Sequence, residues 1–102
     1  MKKITLLSLL FIAQMAQAKT IELPAQTMQY RPSDLPGYLL TVQQCSTCHS
    51  VEYTEYQPPT TGIGYWNAQV IRMKKVFNAP IADEDIPVIV DYLSKTYGAN
   101  RK

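Results

Sequence analysis

Apolar residues recur at helical spacing in two stretches of the chain, near residues 70 and 90. Because residues three and four positions apart share one face of a helix, each of these stretches predicts an amphipathic helix. An earlier apolar stretch, which leads into Cys45, also predicts a helix, and the chain is expected to have an all-α fold. The apolar positions of the three helices are Tyr38, Leu39, Leu40 and Val42; Trp66, Val70, Met73 and Phe77; and Ile86, Ile89, Val90, Leu93 and Tyr97.

Polar residues and glycines mark the expected helix ends. Ser33 or Asp34 is expected to cap the first helix, and Asp83 to cap the third. The second helix should end at Asn78 and the third at Gly98. The sequence therefore predicts a short connection between the second and third helices.

Two stretches lack helical periodicity. Residues 19–36 are rich in proline and polar residues and predict an extended N-terminal arm that lies along the domain or against a partner protein. Residues 51–65 contain two prolines and two glycines and predict a long loop. Residues 37–102 are then expected to form a single small domain.

The N-terminus has the pattern of a secretory signal peptide over residues 1–18. Lys2 and Lys3 precede an apolar run from Ile4 to Ala13, and Ala16-Gln17-Ala18 forms a small-residue cleavage site. The apolar run is too short to span a bilayer, and no second run of spanning length follows. We therefore expect export to the periplasm, with no membrane span after cleavage.

Signal cleavage changes both the size and the charge of the chain. It leaves 84 of the 102 residues, a size at which a core of side chains alone is marginal. Loss of Lys2 and Lys3 leaves eight basic and eight acidic side chains. A neutral balance gives no support for a nucleic acid or an anionic membrane as partner.

The only two cysteines and the only histidine lie together in Cys45-Ser46-Thr47-Cys48-His49. Cys-x-x-Cys-His is the attachment sequence of a c-type haem. Each cysteine sulfur forms a thioether with one haem vinyl group, and the adjacent histidine binds the iron as proximal ligand. The motif predicts one covalent haem c held by Cys45, Cys48 and His49, with the helices wrapped around it.

Other interpretations of the motif fit the chain less well. A thioredoxin-like redox site expects a βαβ pattern, which the sequence lacks. A structural zinc site needs four ligands, and the motif offers three. A simple disulfide would close a small strained ring and leave His49 unexplained.

The sixth ligand of the haem iron must come from another residue, since the chain has no second histidine. After signal cleavage the candidates are Met28 and Met73. Met73 follows the motif and shares a helix face with Trp66, so it is the expected distal ligand, with Met28 as the fallback. The alternative role of Met73 is ordinary core packing.

Three aromatic residues are candidates for packing on the haem. Tyr53 and Tyr56 lie in the predicted loop, where they could contact the porphyrin or simply stabilise the loop. Trp66 lies on the predicted face of the second helix that should touch the haem.

Short motifs are spread over nearly the whole mature chain. They are the stretch 30–38, Cys45 to Ser50, Glu52-Tyr53, Gln57-Pro58-Pro59, Trp66, Val70, Met73, Ala79-Pro80-Ile81 and Asp91-Tyr92-Leu93. Together they resemble the small monohaem cytochrome c subunit of bacterial sulfite dehydrogenases. The resemblance implies a class I cytochrome c fold and a role without catalysis. It also implies a molybdenum-cofactor subunit that oxidises sulfite and donates electrons to the haem, and a soluble cytochrome c that accepts them.

Two other functions remain open from the sequence. One is a freely diffusing class I cytochrome c that serves several partners. The other is a haem sensor or a peroxidase-like enzyme with an open distal site. No paired carboxylates or phosphate-binding glycine loop support hydrolytic or nucleotide-binding chemistry.

Overall fold

The computed structural model of the chain describes residues 20–22 and 28–99. Within this part it contains no strand, and its helices are α1 (Gly37–Cys45), α2 (Glu52–Glu55), α3 (Ile63–Phe77) and α4 (Asp85–Thr96). The prediction of an all-α fold is confirmed. The predicted signal peptide, residues 1–18, lies outside the described residues, as do positions 19 and 23–27 of the predicted arm. None of the described helices has the length and apolar character needed to cross a membrane.

Helix α1 packs on α4 through a very close backbone approach at Gly37. A Cβ atom at Gly37 would collide with the backbone carbonyl of Val88 and lie 2.8 Å from the Cβ of Tyr92. Glycine is therefore required here by lack of space. Thr41, one turn further along α1, is fully buried. This contact fixes the position of α1 and hence the place where the chain leaves it at Cys45.

Helix α4 is buried on two sides, because α3 packs on it as well as α1. Its predicted stripe is confirmed at Ile89, Val90, Leu93 and Tyr97, which are all buried. Tyr92 lies outside that stripe and is nevertheless fully buried. Its hydroxyl donates to the backbone carbonyl of Arg31 at 2.7 Å, which satisfies the one polar atom of the ring. The core consists of Tyr30, Val51, Trp66, Val70, Ile81, Ile89, Val90, Tyr92, Leu93 and Tyr97.

The prediction of a continuous loop over residues 51–65 is wrong in part. The short helix α2 occupies residues 52–55, and α3 begins at Ile63, three residues before Trp66. Gly62 has an extended backbone, and its carbonyl accepts the N–H of Tyr65 at 3.1 Å. The early glycines therefore start the helix instead of interrupting it.

Two of the expected helix caps are also wrong. Helix α1 begins at Gly37, and the Ser33 hydroxyl accepts the backbone N–H of Leu35 at 3.1 Å in a turn before it. Helix α4 begins at Asp85, and the carboxylate of Asp83 instead accepts a bond from Lys74 at 2.6 Å. A charged partner on a neighbouring element has replaced the local cap.

The residues expected to end α3 and α4 have different roles in the structure. Helix α3 ends at Asn78 as expected, with Asn78 in the left-handed conformation at φ 55°. Helix α4 ends at Thr96, two residues before the expected Gly98. A Cβ atom at Gly98 would lie 2.6 Å from the Thr61 carbonyl oxygen and 2.8 Å from Trp66 Nε1. Gly98 therefore serves close packing.

The last part of the predicted arm is docked on the helices. Tyr30 is 3% exposed and belongs to the core. The Arg31 side chain makes a two-pronged ion pair with Glu55, at 2.9 and 2.7 Å, and its guanidinium carbon lies 5.0 Å from the centre of the Tyr97 ring. The Arg31 backbone N–H donates to the Tyr97 hydroxyl at 2.9 Å. The packed part of the chain thus begins at Tyr30, before the expected domain boundary at residue 37.

Candidate cofactor site

An open cleft of about 400 Å³ lies where the end of α1 faces the end of α3. Its volume falls within the usual range of small-molecule and cofactor sites. Most of the side chains that line it are apolar. The lining residues are Gln44, Cys45, Cys48, His49, Tyr53, Met73, Phe77, Ala79 and Ile81.

One wall of the cleft is formed by the Cys-x-x-Cys-His motif. Cys45 is the last residue of α1, and the turn after it brings Cys48 and His49 to the same cleft. Both thiols are free. Burial raises the pKa of the Cys45 thiol to about 11, and the neighbouring Cys48 adds to the effect. Cys45 is therefore a neutral thiol at physiological pH.

The imidazole of His49 is oriented by two neighbours. Its Nδ1 lies 3.2 Å from the backbone carbonyl oxygen of Ser50. When Nδ1 donates to this carbonyl, Nε2 keeps the lone pair that can bind a metal. The Tyr53 ring lies 4.8 Å from the imidazole ring, measured between centroids, with a tilt of 39°. Tyr53, a predicted contact of the haem, thus also contacts the predicted proximal ligand.

The facing wall is formed by Met73 and Phe77, which are one turn apart on α3, and by the segment that follows the helix. The structure therefore places Met73 in the same cleft as His49. Met28 lines a different cleft, of about 370 Å³, together with Tyr38 and Val42. Of the two candidate methionines, Met73 is the one that shares a cleft with the motif.

Two of the predicted haem contacts lie elsewhere. Trp66 is buried and lines a small cavity of about 70 Å³, which adjoins the main cleft because Cys45, His49 and Tyr53 border both. Its indole Nε1 is buried without a hydrogen-bond partner among the described residues. Tyr56 is 80% exposed and lines none of these cavities.

Three residues of the cleft were not expected from the sequence as site residues. Ala79 and Ile81 border it because the left-handed turn at Asn78 redirects the chain across the end of α3. Small and branched apolar residues on both sides of Pro80 were the available signal. Gln44 had no such signal, and its amide donates to the Asp85 carboxylate at 2.9 Å.

The residues of the cleft fit a covalently attached haem. The two free thiols and the imidazole provide the attachment set on one wall, and Met73 provides a thioether facing them. Phe77 is 63% exposed although it borders the cleft, so a large apolar side chain there has no cover from the described residues. A flat apolar cofactor is the kind of ligand that such a wall accommodates. No group of three or more His, Cys, Asp or Glu side chains in the described residues is arranged to hold a bare metal ion.

Comparison with known proteins gives no relative. No protein-family model matches the chain, and no curated protein sequence matches it significantly.

Proposed function

We propose that this chain is a periplasmic c-type cytochrome that transfers single electrons through one covalent haem. The observation that carries the proposal is the meeting of Cys45, Cys48, His49 and Met73 in one cleft. The sequence motif alone specifies three of these residues. The fold adds the fourth from a helix 24 residues further along the chain than His49.

Each of the four side chains has a distinct role in this proposal. Cys45 and Cys48 form the two thioethers, His49 is the proximal iron ligand and Met73 the distal one. The haem supplies a one-electron couple between ferric and ferrous iron. A thioether ligand opposite histidine favours the ferrous state and raises the reduction potential.

The other residues of the cleft surround this couple with apolar side chains. Phe77, Ala79 and Ile81 line one side of the site. A bond from Nδ1 of His49 to the Ser50 carbonyl would fix the tautomer in which Nε2 can bind iron. A site whose ligands are held in place by packing needs little rearrangement when the charge of the iron changes.

We further propose that the chain is the haem subunit of a sulfite-oxidising complex. The resemblance of its motifs to the cytochrome subunit of sulfite dehydrogenases supports this assignment. In such a complex a molybdenum-cofactor subunit oxidises sulfite and donates the electrons one at a time. A soluble cytochrome c then accepts them, and this chain performs no catalysis of its own.

The first test is the absorption spectrum of the protein matured in a bacterial periplasm. We expect a covalent haem that survives denaturation, and a near-infrared band from sulfur-to-iron charge transfer in the ferric state. Met73→Ala should remove the band and give a high-spin haem that stays attached. Met28→Ala is the matched control and should keep the band.

The outcomes distinguish the proposal from its alternatives. A chain without covalent haem after coexpression with the maturation apparatus would refute the cytochrome assignment. A wild-type protein that is already high-spin would indicate an open distal site, as in a haem sensor or a peroxidase-like enzyme. Loss of the band in Met28→Ala and not in Met73→Ala would assign the distal ligand to Met28.

The subunit assignment has a separate test. The tagged chain is coexpressed with a molybdenum sulfite-oxidising enzyme encoded beside it, and the complex is isolated under mild conditions. A permanent subunit elutes with its partner at constant stoichiometry and shows sulfite-dependent haem reduction. A freely diffusing carrier elutes alone.

A further inference from the structure

An exposed flank of α3 beside the cleft combines basic and apolar side chains. Lys75 and Val76 lie three and four positions after Arg72, so both are its neighbours on the helix surface. Phe77, the next residue, borders the cleft itself. We call this surface, formed by Arg72, Lys75, Val76 and Phe77, the basic lip.

The apolar part of the basic lip is exposed beside the cleft. Val76 is 65% exposed and Phe77 is 63% exposed, at the helix end nearest the cleft. Adjacent exposed apolar side chains beside a site are a common mark of a contact surface. A haem in the cleft would contact Phe77, but Val76 lies on the outer flank of the helix.

The two charges of the basic lip form no ion pair within the described residues. The adjacent Lys74 pairs with Asp83 at 2.6 Å and lowers the pKa of that carboxyl, and the charge of Lys75 adds a smaller effect. Helix α3 carries no acidic residue. Favourable interaction with the helix dipole explains lysines in the last turn, yet Arg72 precedes that turn.

The opposite side of the cleft has the opposite character. Tyr53 borders the cleft from α2, whose other ionisable residues are Glu52 and Glu55. Glu55 is already paired with Arg31. On the side of α3, positive charge is supplied by Arg72 and Lys75, and the nearby Asp83 carboxylate is paired with Lys74.

We propose that the basic lip is the docking surface for a one-electron protein partner whose contact area is an apolar spot ringed by carboxylates. This inference rests on the proposed electron-transfer function and names the chemistry of its partner. Complementary charge raises the rate of encounter and orients the partner, while Val76 and Phe77 supply a dry contact next to the cleft. Close contact there would shorten the path of the electron to a haem held in the cleft.

The test uses a flavodoxin in its anionic hydroquinone form as an acidic one-electron donor. One electron passes from the flavin to the ferric haem, which leaves the neutral semiquinone and the ferrous protein. The second-order rate constant is measured by stopped flow at several ionic strengths. Covalent haem and an unchanged spectrum are verified first in every variant.

Two lysine variants carry the same change of net charge. Lys75→Glu reverses a charge in the basic lip, and Lys95→Glu reverses one on α4 that is paired with Asp91. We expect Lys75→Glu, and likewise Arg72→Glu, to lower the rate constant about tenfold at low ionic strength. The difference should shrink as salt screens the charges. Equal effects of Lys75→Glu and Lys95→Glu would refute the docking surface and indicate a response to net charge alone.

Amide chemical shifts provide a second readout that does not depend on electron transfer. Adding oxidised flavodoxin to the holoprotein should shift the amide signals of residues 72–77. Shifts centred on residues 53–56 would place the docking surface on α2 and refute the inference while the cytochrome assignment stands. Self-association through residues 72–77 would also refute it, since the occupant would then be a second copy of the chain.

Discussion

Arg31 shows how much one side chain contributes to holding this small fold together. Its guanidinium pairs with Glu55, donates to the Thr96 carbonyl at 3.3 Å and lies over the Tyr97 ring. One side chain from the N-terminal segment therefore contacts both α2 and the end of α4. The sequence offered no sign of this role, because the three partners are 24 to 66 positions away.

Arg31→Ala is expected to lower the free energy of unfolding by about 1 to 2 kcal/mol, since it removes a two-pronged ion pair and a cation–π contact. Arg72→Ala is the control, because Arg72 is exposed and has no ion pair among the described residues. It should change stability by less than about 0.5 kcal/mol. Chemical denaturation measures both, and equal effects would contradict the role given to Arg31.

Tyr30 is expected to make the fold sensitive to alkali. Burial raises its pKa from 10.0 to about 12, although the Thr54 hydroxyl acts in the opposite direction. The folded state therefore keeps a proton that the unfolded state releases, so stability falls as the pH rises from about 10 to 12. Tyr30→Phe should make this fall shallower, and Tyr56→Phe, at an exposed position, should not. Denaturation curves from pH 8 to 12 measure the slopes.

At the scale of elements, helical periodicity predicted which residues are buried where a helix packs through one face. The apolar stripes on α3 and α4 were visible in the sequence, because buried residues on each helix recur at helical spacing. On α3, Val70 follows Trp66 by four positions, and on α4, Leu93 follows Ile89 by four. The burial of Tyr92 was not visible, since it depends on α1 covering a second side of α4. The cap at Asp83 failed for a similar reason, because Asp83 pairs with Lys74 on a neighbouring helix. Ser33 instead accepts a local bond from Leu35 in the turn before α1.

Some residues of the candidate site could likewise be predicted from local sequence patterns, and others could not. A local motif specified Cys45, Cys48 and His49, and the face of α3 pointed to Met73. Gln44 and Ile81 border the cleft only because of the way the helices are arranged, which no local pattern encodes. The arm was expected to lie along the domain or against a partner protein, and the structure shows the finer point that Tyr30 belongs to the core.

Two glycine substitutions test the packing of the helices. Gly37→Ala should lower the free energy of unfolding by about 1 to 3 kcal/mol, because the new methyl group collides with the Val88 carbonyl. Gly64→Ala is the matched control, since a Cβ there meets nothing within 4 Å. It should raise stability by about 0.5 to 1 kcal/mol through helix propensity. Thermal unfolding of both variants decides, and an unaffected Gly37→Ala would contradict the close approach of α1 and α4.

At the scale of the whole molecule, the position of the boundary between arm and domain determines how a deletion of the arm can be interpreted. Deleting residues 19–36 would remove Tyr30 and Arg31 together with the rest of the arm, so it cannot test partner binding alone. A deletion that stops before Tyr30 leaves both docked residues in place.

Two deletions should therefore behave differently. Removal of residues 19–30 is expected to cost about 3 to 5 kcal/mol more than removal of residues 19–29, the amount associated with loss of a buried aromatic side chain. Thermal unfolding of the two holoproteins measures the difference. Equal stability would mean that Tyr30 contributes little to the core.

The bonds of Arg31 to Thr96 and Tyr97 also bring the two ends of the packed region to one place. The chain enters the folded body at Tyr30 and leaves it just after Tyr97, where the Ala99 N–H donates to Thr61 at 2.8 Å. When the entry and exit points of a domain lie close together, the domain can be inserted as one unit into a loop of a host protein, or be circularly permuted, without distorting the chain at either end. A single attachment point in a host protein is thus sufficient to carry this domain.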